Sequence, residues 1–329
     1  MTQPNPQPAI AIETRGLGRG FAGARAVDGL DLEVRRGEMF ALVGPDGAGK
    51  STAIRLLCGI LHPDAGSGQV LGFDLHRQPE AIKRRIGYLS QNFTLYGDLS
   101  VDENLEFFAD IHGVRGFRQR RDELLAFTRL TPFRRRLAQA LSGGMKKKLA
   151  LACTLIHTPE LIFLDEPSTG VDPVSRGEFW NILSSILEQG VTIFMTTPYL
   201  DEAERCHRIS LMHHGRLVMT GTPEEVKARM PGAVWTIRCP RPEAACQALR
   251  QEWPAARLVL TGGGLRFWSD QGAAELRRIV ARLDAAGLGP AAAEPAEPSL
   301  EDAFIALLGA DAGAGPAPAT TSHHHGAPS

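Results

Sequence analysis

Residues 41–52 read ALVGPDGAGKST: the end of an apolar run, a glycine-rich turn, then a helical pattern that continues through AIRLLCGIL. Gly44, Gly49, Lys50 and Ser51 fit the spacing G-x-x-x-x-G-K-[ST], which predicts a strand over residues 39–43, a phosphate-binding loop and a helix opening at its end. Glycines allow backbone N–H groups to close on phosphate oxygens, and the helix N-terminus adds the positive end of its dipole. Lys50 is suited to neutralising the outer phosphates and the Ser51 hydroxyl to ligating Mg2+. The expected nucleotide-binding set is therefore Gly44, Pro45, Asp46, Gly47, Ala48, Gly49, Lys50, Ser51 and Thr52.

Two further stretches gain meaning beside that loop. LIFLDEP, residues 161–167, has four apolar residues and then two carboxylates, as a fully buried parallel strand ending at a site should. Asp165 would hold Mg2+ through its water shell, and Glu166 would accept a proton from, or polarise, the water that attacks the terminal phosphate. Between them, LSGGMKKKLALACTL at residues 141–155 reads on its own as a serine-capped amphipathic helix after a glycine turn.

Taken together, the order and spacing over residues 9–225 resemble the ATP-binding cassette of ABC transporters. Walker A falls at residues 44–52, the signature at 141–145 and Walker B at 161–166. The resemblance implies an α/β fold: a P-loop NTPase with a RecA-like core, an antiparallel β subdomain, and a helical subdomain inserted at about residues 92–158. ATP and Mg2+ are the implied cofactors. Gln91 falls where the family's glutamine loop contacts magnesium and senses the membrane subunit, making Glu166, Gln91 and Lys50 the catalytic set and Ser51, Gln91 and Asp165 the metal set. Phe21 stands where an aromatic, usually tyrosine, stacks on adenine, and Asp46 replaces a more usual asparagine. Ser142, Gly143 and Gly144 are implied to bind the γ-phosphate held by the second cassette of a head-to-tail pair, with Asp172 in the loop that crosses to it.

Met145, the segment ENLEFFADIHG (residues 103–113) and the ending PSLEDAFIALLG resemble the drug-exporter branch, similar to daunorubicin-resistance ATPases. They imply an ATPase subunit, peripheral on the cytoplasmic face of the membrane, that powers a separate integral permease docking beside the glutamine loop. The alternatives are a soluble non-transport ABC ATPase acting on ribosomes or DNA, and a catalytically impaired regulatory cassette of a heterodimer.

The last alternative rests on TIFMTTPYLDEAERC, residues 192–206. Locally it reads as a strand running into an acidic helix, with Thr197 as cap, Pro198 in the first turn, and Asp201, Glu202 and Glu204 near the positive end. In this family's T-H-x-x-[DE]-E-A context, however, Pro198 takes the place of the histidine that bridges the γ-phosphate and the attacking water. Proline has neither a proton nor a donor to offer. His207, read as nine residues along the helix, would be about 13 Å away at 1.5 Å per residue, and His213 and His214 are not expected to substitute. The expectation is a site that binds Mg-ATP and turns it over slowly.

Composition bounds the rest. In 329 residues, 36 Lys and Arg balance 37 Asp and Glu, so no global field points to nucleic acid, and the basic runs RGFRQRR, FRRR and KKK are expected to be solvated helix faces. Five scattered cysteines suit a reducing compartment and core packing. The opening MTQPNPQPAIAIE has no basic-then-apolar pattern of a secretory signal, and apolar runs break well short of the roughly 20 residues a membrane span needs. Residues 1–8 and 309–329 are expected to be disordered, with His323, His324 and His325 a solvated end rather than a metal site. Residues 231–308 read as a small α+β accessory domain, ordered strand, helix, hairpin, helix and a final helix near Ser299, with Trp235, Trp253 and Trp268 in its core.

Overall fold

The computed structural model describes residues 9–92, 95–250, 252, 253, 257–262, 264–289 and 292–311. Of the disorder expected for residues 1–8 and 309–329, residues 1–8 and 312–329 lie outside these, as do the histidines at 323–325, whereas residues 309–311 continue the last helix. The chain divides into two units, Met1–Glu225 and Val226–Ser329.

The first unit runs β1 (Ile10–Phe21), β2 (Ala24–Arg35), β3 (Met39–Val43), α1 (Lys50–Leu57), β4 (Ala65–Val70), β5 (Phe73–Asp74), α2 (Pro79–Lys83) and β6 (Ile86–Leu89). Three helices follow, α3 (Val101–Ile111), α4 (Arg118–Phe127) and α5 (Gly143–Leu155). Then come β7 (Leu161–Asp165), α6 (Pro173–Glu188), β8 (Thr192–Thr197), α7 (Leu200–Ala203), β9 (Arg208–His213) and β10 (Arg216–Gly221), with α8 (Pro223–Ala228) at the boundary. One antiparallel sheet has the order β2-β1-β4-β5. The other has the order β10-β9-β3-β8-β7-β6 and is parallel throughout except at β10.

Every residue of β3, β7 and β8 is buried, because a parallel sheet covered on both faces has no solvent side to alternate with. Phe194 of β8 holds this layer together, 5.6 Å from Phe40 in a stacked pair and 5.5 Å from Phe163. The strand order is not the chain order, and that places the site. Val43 pairs with Thr197 and Asp165 with Thr196, so three chain segments distant in sequence end side by side at the carboxyl edge, where α/β sheets present ligand sites.

The helices between β6 and β7 start from strong local signals. Ser100 and Glu103 form a reciprocal capping box on α3, and Ser142 caps α5 by accepting the Met145 N–H at 3.3 Å. The basic runs are not simply solvated, contrary to the sequence expectation. Arg134 pairs with Asp102 and Asp122 at 2.9 Å each, and Lys148 is buried with its ammonium 2.8 Å from Glu178. Carboxylates on neighbouring helices reach these cations, which charge counting along the chain does not register.

The second unit is β11 (Ala233–Arg238), α9 (Pro242–Leu249), β12 (Leu258–Thr261), β13 (Gly264–Ser269), α10 (Ala273–Ala285), β14 (Ala292–Ala296) and α11 (Leu300–Asp311). Its antiparallel sheet has the order β12-β13-β11-β14, the split β-α-β arrangement of ferredoxin-like folds. The sequence reading has no counterpart of β14, whose AAEPA lacks β-branched and aromatic residues and contains Pro295. The strand forms because it lies at the sheet edge, where proline is tolerated. The last helix runs to Asp311, past the expected domain end at 308.

Trp235, Trp253 and Trp268 are buried, and Trp253 donates from its indole to Glu275 at 2.8 Å. Cys58, Cys153, Cys206 and Cys246 are buried thiols, whereas Cys239 is half-buried. Truncating Phe194 removes contacts to both Phe40 and Phe163, so Phe194→Ala is expected to destabilise the first unit by about 3–5 kcal/mol, read as a lower urea midpoint with the second unit's transition unchanged.

Candidate functional site

The loop between β3 and α1 exists because two of its glycines have nowhere to put a side chain. A Cβ on Gly44 would lie 2.2 Å from the Met212 carbonyl oxygen, and one on Gly49 2.1 Å from the Ala26 carbonyl oxygen. Gly49 also has φ 105°, a conformation L side chains rarely adopt. The loop thus seats itself against backbone and turns Lys50 inward as the first residue of α1, only 4% exposed.

Lys50 Nζ donates to the carbonyls of Gly44 (2.9 Å) and Pro45 (3.1 Å) and lies 3.2 Å from Glu166 Oε1. Gln91 Nε2 donates to Glu166 Oε2 at 2.9 Å. Glu166 immediately follows β7 with φ 48°, a left-handed backbone that costs a non-glycine residue about 1–3 kcal/mol. Its N–H is held by both the carbonyl and the hydroxyl of Thr196, at 3.1 and 3.2 Å. Two strand ends therefore hold the carboxylate over the loop lysine.

Asp165 faces the start of α1. Its Oδ1 accepts from Ser51 Oγ at 3.0 Å and from Thr196 Oγ1 at 2.6 Å, while its buried Oδ2 has no partner. A buried carboxylate oxygen without a donor calls for a cation or water, and a carboxylate beside a hydroxyl is a donor set that suits Mg2+. Among the described residues no three His, Cys, Asp or Glu side chains gather into a metal cluster; Asp165 and the Ser51 hydroxyl are the groups that would hold a cation here.

A cleft of about 470 Å3 is lined by Ala26, Asp46, Gly47 and residues 49–52 together with Gln91, Glu166, Thr169, Pro198 and Tyr199. Pro198 is thus at the cleft, but not as helix punctuation of the expected kind. The helix after it is α7, four residues long, with Tyr199 at its N-cap position and Pro198 one residue outside. Thr197 does not cap it in the ordinary way. Thr197 accepts the Tyr199 N–H at 3.0 Å and gives its own proton to the buried carboxylate of Glu202 at 2.7 Å.

None of the three histidines lines the cleft, although His207 is not on the helix where the local reading put it. His207 lies beyond α7, its Nδ1 accepting the Met39 N–H at 3.1 Å at the start of β3, the end opposite the glycine loop. His213 closes β9 and His214 follows it, and neither lines the cleft. Phe21 ends β1 at the hairpin turn, 45% exposed, with the Arg19 guanidinium 5.1 Å from its ring, and it does not line the cleft either.

Ser142, Gly143 and Asp172 are exposed, and neither they nor Gly144 belong to the cleft. Asp172 caps α6 by accepting the N–H groups of Val174 (3.1 Å) and Ser175 (2.9 Å), and the Ser175 N–H chiefly holds its carboxyl below the usual range. Gly144 packs so closely on α6 that a Cβ would come within 2.3 Å of the Ser175 hydroxyl. Three residues lining the cleft have no role in the sequence reading, Ala26, Thr169 and Tyr199, and neither does Thr196, which holds Asp165 and Glu166 from beneath it. Threonine and tyrosine at strand and loop ends carry no motif, and it is the pairing of β8 with β7 that brings Thr196 to Asp165 and Glu166.

The ABC transporter family profile matches residues 27–169. The chain is 37% identical over 316 residues to the daunorubicin/doxorubicin resistance ATP-binding protein DrrA of Streptomyces peucetius, covering 93% of this chain and 94% of that protein. It is 42% identical over 221 residues to the probable multidrug ABC transporter ATP-binding protein YbhF of Escherichia coli K12, covering 66% of this chain but only 38% of the length of that relative. Among solved structures, an ATP-binding subunit of an ABC transporter superposes with a TM-score of 0.61 at 30% identity, covering 67% of this chain and 92% of the other.

Because a methyl group at position 49 meets the Ala26 backbone as well as the movable end of Met212, Gly49→Ala is expected to abolish triphosphate binding. Fluorescent-nucleotide titration should show at least a hundredfold loss, with the circular dichroism spectrum retained.

Proposed function

The chain belongs to the ABC transporter family, and on that premise we propose that it binds Mg-ATP in the cleft and hydrolyses it to ADP and phosphate, as the ATPase subunit of an exporter. The observation that carries this reading is the convergence of Lys50, Ser51, Gln91 and Glu166 on one cleft at the ends of β3, β6 and β7, with Asp165 joined to it through the Ser51 hydroxyl. Mg2+, when bound, would neutralise the β- and γ-phosphates, with Ser51 and Asp165 holding it and Gln91 nearby.

The chemistry follows from the groups present. Terminal phosphate oxygens attract Lys50 away from Glu166, and the released carboxylate becomes an acceptor. The water oxygen bonds to the γ-phosphorus as the bridging P–O bond breaks, ADP leaves, and the water proton passes to Glu166. Lys50 stabilises the charge on the transferred group.

Family cassettes dimerise and work with membrane permeases, and the exposure of Ser142, Gly143 and Asp172 away from the cleft supports a head-to-tail second cassette as their partner. Among the described residues no helix is long and apolar enough to cross a membrane. The proposed permease docks in a groove of about 540 Å3 beside Gln91, lined also by Asn92, Leu95, Gln139, Lys146 and Lys147. Lys147 donates to the Gln91 carbonyl at 3.2 Å, and burial pushes its pKa down against the opposing pull of Asp165 and Glu166. The names of DrrA and YbhF support efflux of a drug-like molecule, and a peripheral position on the cytoplasmic face of the membrane goes with the proposed permease partner.

A second reading is favoured by one residue. Pro198 lines the cleft where a donor would serve the γ-phosphate, so this site is slow, while the signature residues remain able to complete a faster site on a different partner cassette. Removing one such electrostatic contact costs on the order of a hundredfold in rate.

Steady-state ATP turnover tests both. Glu166→Gln is expected to lower turnover more than a hundredfold with Mg-ATP binding kept. Pro198→His is expected to raise wild-type turnover about tenfold or more; brisk wild-type turnover that Pro198→His leaves unchanged would sink the slow-site reading.

A further inference from the structure

Pro198 offers the cleft no hydrogen-bond donor, but the residue after it does. Tyr199 lines the same cleft as Lys50, Ser51 and Glu166. It is 39% exposed, and among the described residues its hydroxyl has no partner. A phenol hydroxyl can donate a hydrogen bond as well as accept one.

The backbone of Tyr199 is not loosely placed. Its N–H is held by Thr197 Oγ1 at 3.0 Å, and Thr197 in turn donates to Glu202 Oε2 at 2.7 Å. Glu202 is 1% exposed, and its other oxygen takes the hydroxyl of Ser168, two residues beyond Glu166. One buried carboxylate therefore links the segment bearing Tyr199 to the segment bearing Glu166. Of the other hydroxyls lining the cleft, Ser51 donates to Asp165 Oδ1 at 3.0 Å, Thr169 is turned toward Glu166 Oε2 at 3.5 Å, and Thr52 belongs to the first turn of α1 beside the glycine loop, so Tyr199 is the hydroxyl donor that the Pro198 segment itself brings to the cleft.

We propose that the Tyr199 hydroxyl supplies the hydrogen bond to the terminal phosphate that Pro198 cannot, and that the residual turnover of this site runs through it. The inference rests on the ATPase reading above. Tyr199 keeps its proton throughout: the water proton goes to Glu166, the bridging P–O bond breaks as the new P–O bond forms, and the phenol hydrogen bond strengthens as charge grows on the γ-phosphate oxygen. Tyr199 is then a catalytic residue, a donor and not a base.

The test uses the full chain with Mg-ATP, measuring kcat, KM and, by displacement of a fluorescent nucleotide, the Kd. Tyr199→Phe keeps the ring and removes only the hydroxyl, and is expected to lower kcat at least tenfold while Kd changes less than twofold. In the Pro198→His background, where the imidazole supplies a donor, Tyr199→Phe is expected to cost less than threefold. Turnover of Tyr199→Phe within twofold of wild type overturns the assignment. An equal loss in both backgrounds also overturns it, since that marks a structural role, as does a wild-type chain that binds Mg-ATP without turning it over. Failure of the wild-type chain to bind Mg-ATP is a different result, which removes the ATPase reading itself.

Discussion

Val43, Asp165 and Thr197 end three adjacent buried strands at one level, and the site depends on that register. Parallel pairing sets Val43 against Thr197 and Asp165 against Thr196, so the glycine loop, the two carboxylates and the Pro198–Tyr199 pair emerge at a single edge. A slip by one residue would turn every side chain to the other face of its strand. Because these strands are apolar on both faces, what resists the slip is packing, chiefly of Phe40, Phe163 and Phe194.

That rigid edge lets the protein keep charges where water is scarce. Lys50 and Glu166 are both nearly buried and 3.2 Å apart, and an unpaired charge in either place would be strongly unfavourable. Each has other partners: two carbonyls for the lysine, the Gln91 amide for the glutamate. Phosphate can take over Lys50 without leaving Glu166 stranded, since Gln91 remains. The left-handed backbone of Glu166 marks the same point as strained, and strain of that kind gathers at functional sites.

The phosphate half and the signature half are built on different principles. The cleft residues are positioned by the sheet, whereas Ser142 and Asp172 are positioned as helix caps and their surroundings are open. A cap satisfies backbone donors locally and keeps an exposed helix start ordered without a neighbour. Gly144 against Ser175 locks the two caps to each other, so a partner molecule would meet them as one preformed surface.

Much of this was legible in the chain alone, where the chemistry is local. The spacing of Gly44, Gly49, Lys50 and Ser51 dictates a backbone shape and a charge at its centre, and four apolar residues before Asp165 dictate a buried strand. The same locality explains the misreadings. Thr197 and Pro198 look like cap and first turn, yet the hydroxyl is claimed by Glu202 and the helix starts two residues later. AAEPA carries no strand signal, yet an open edge beside β11 accepts it. By itself the sequence determined the phosphate loop, the carboxylate strand and the capped helices, because each follows from neighbours within a few residues. Only the tertiary structure decided that Thr196 bridges Asp165 and Glu166, that Tyr199 shares the cleft with Lys50, and that His207 does not reach it. Those placements come from a strand order that differs from the chain order, a long-range pairing to which no short stretch of sequence has access.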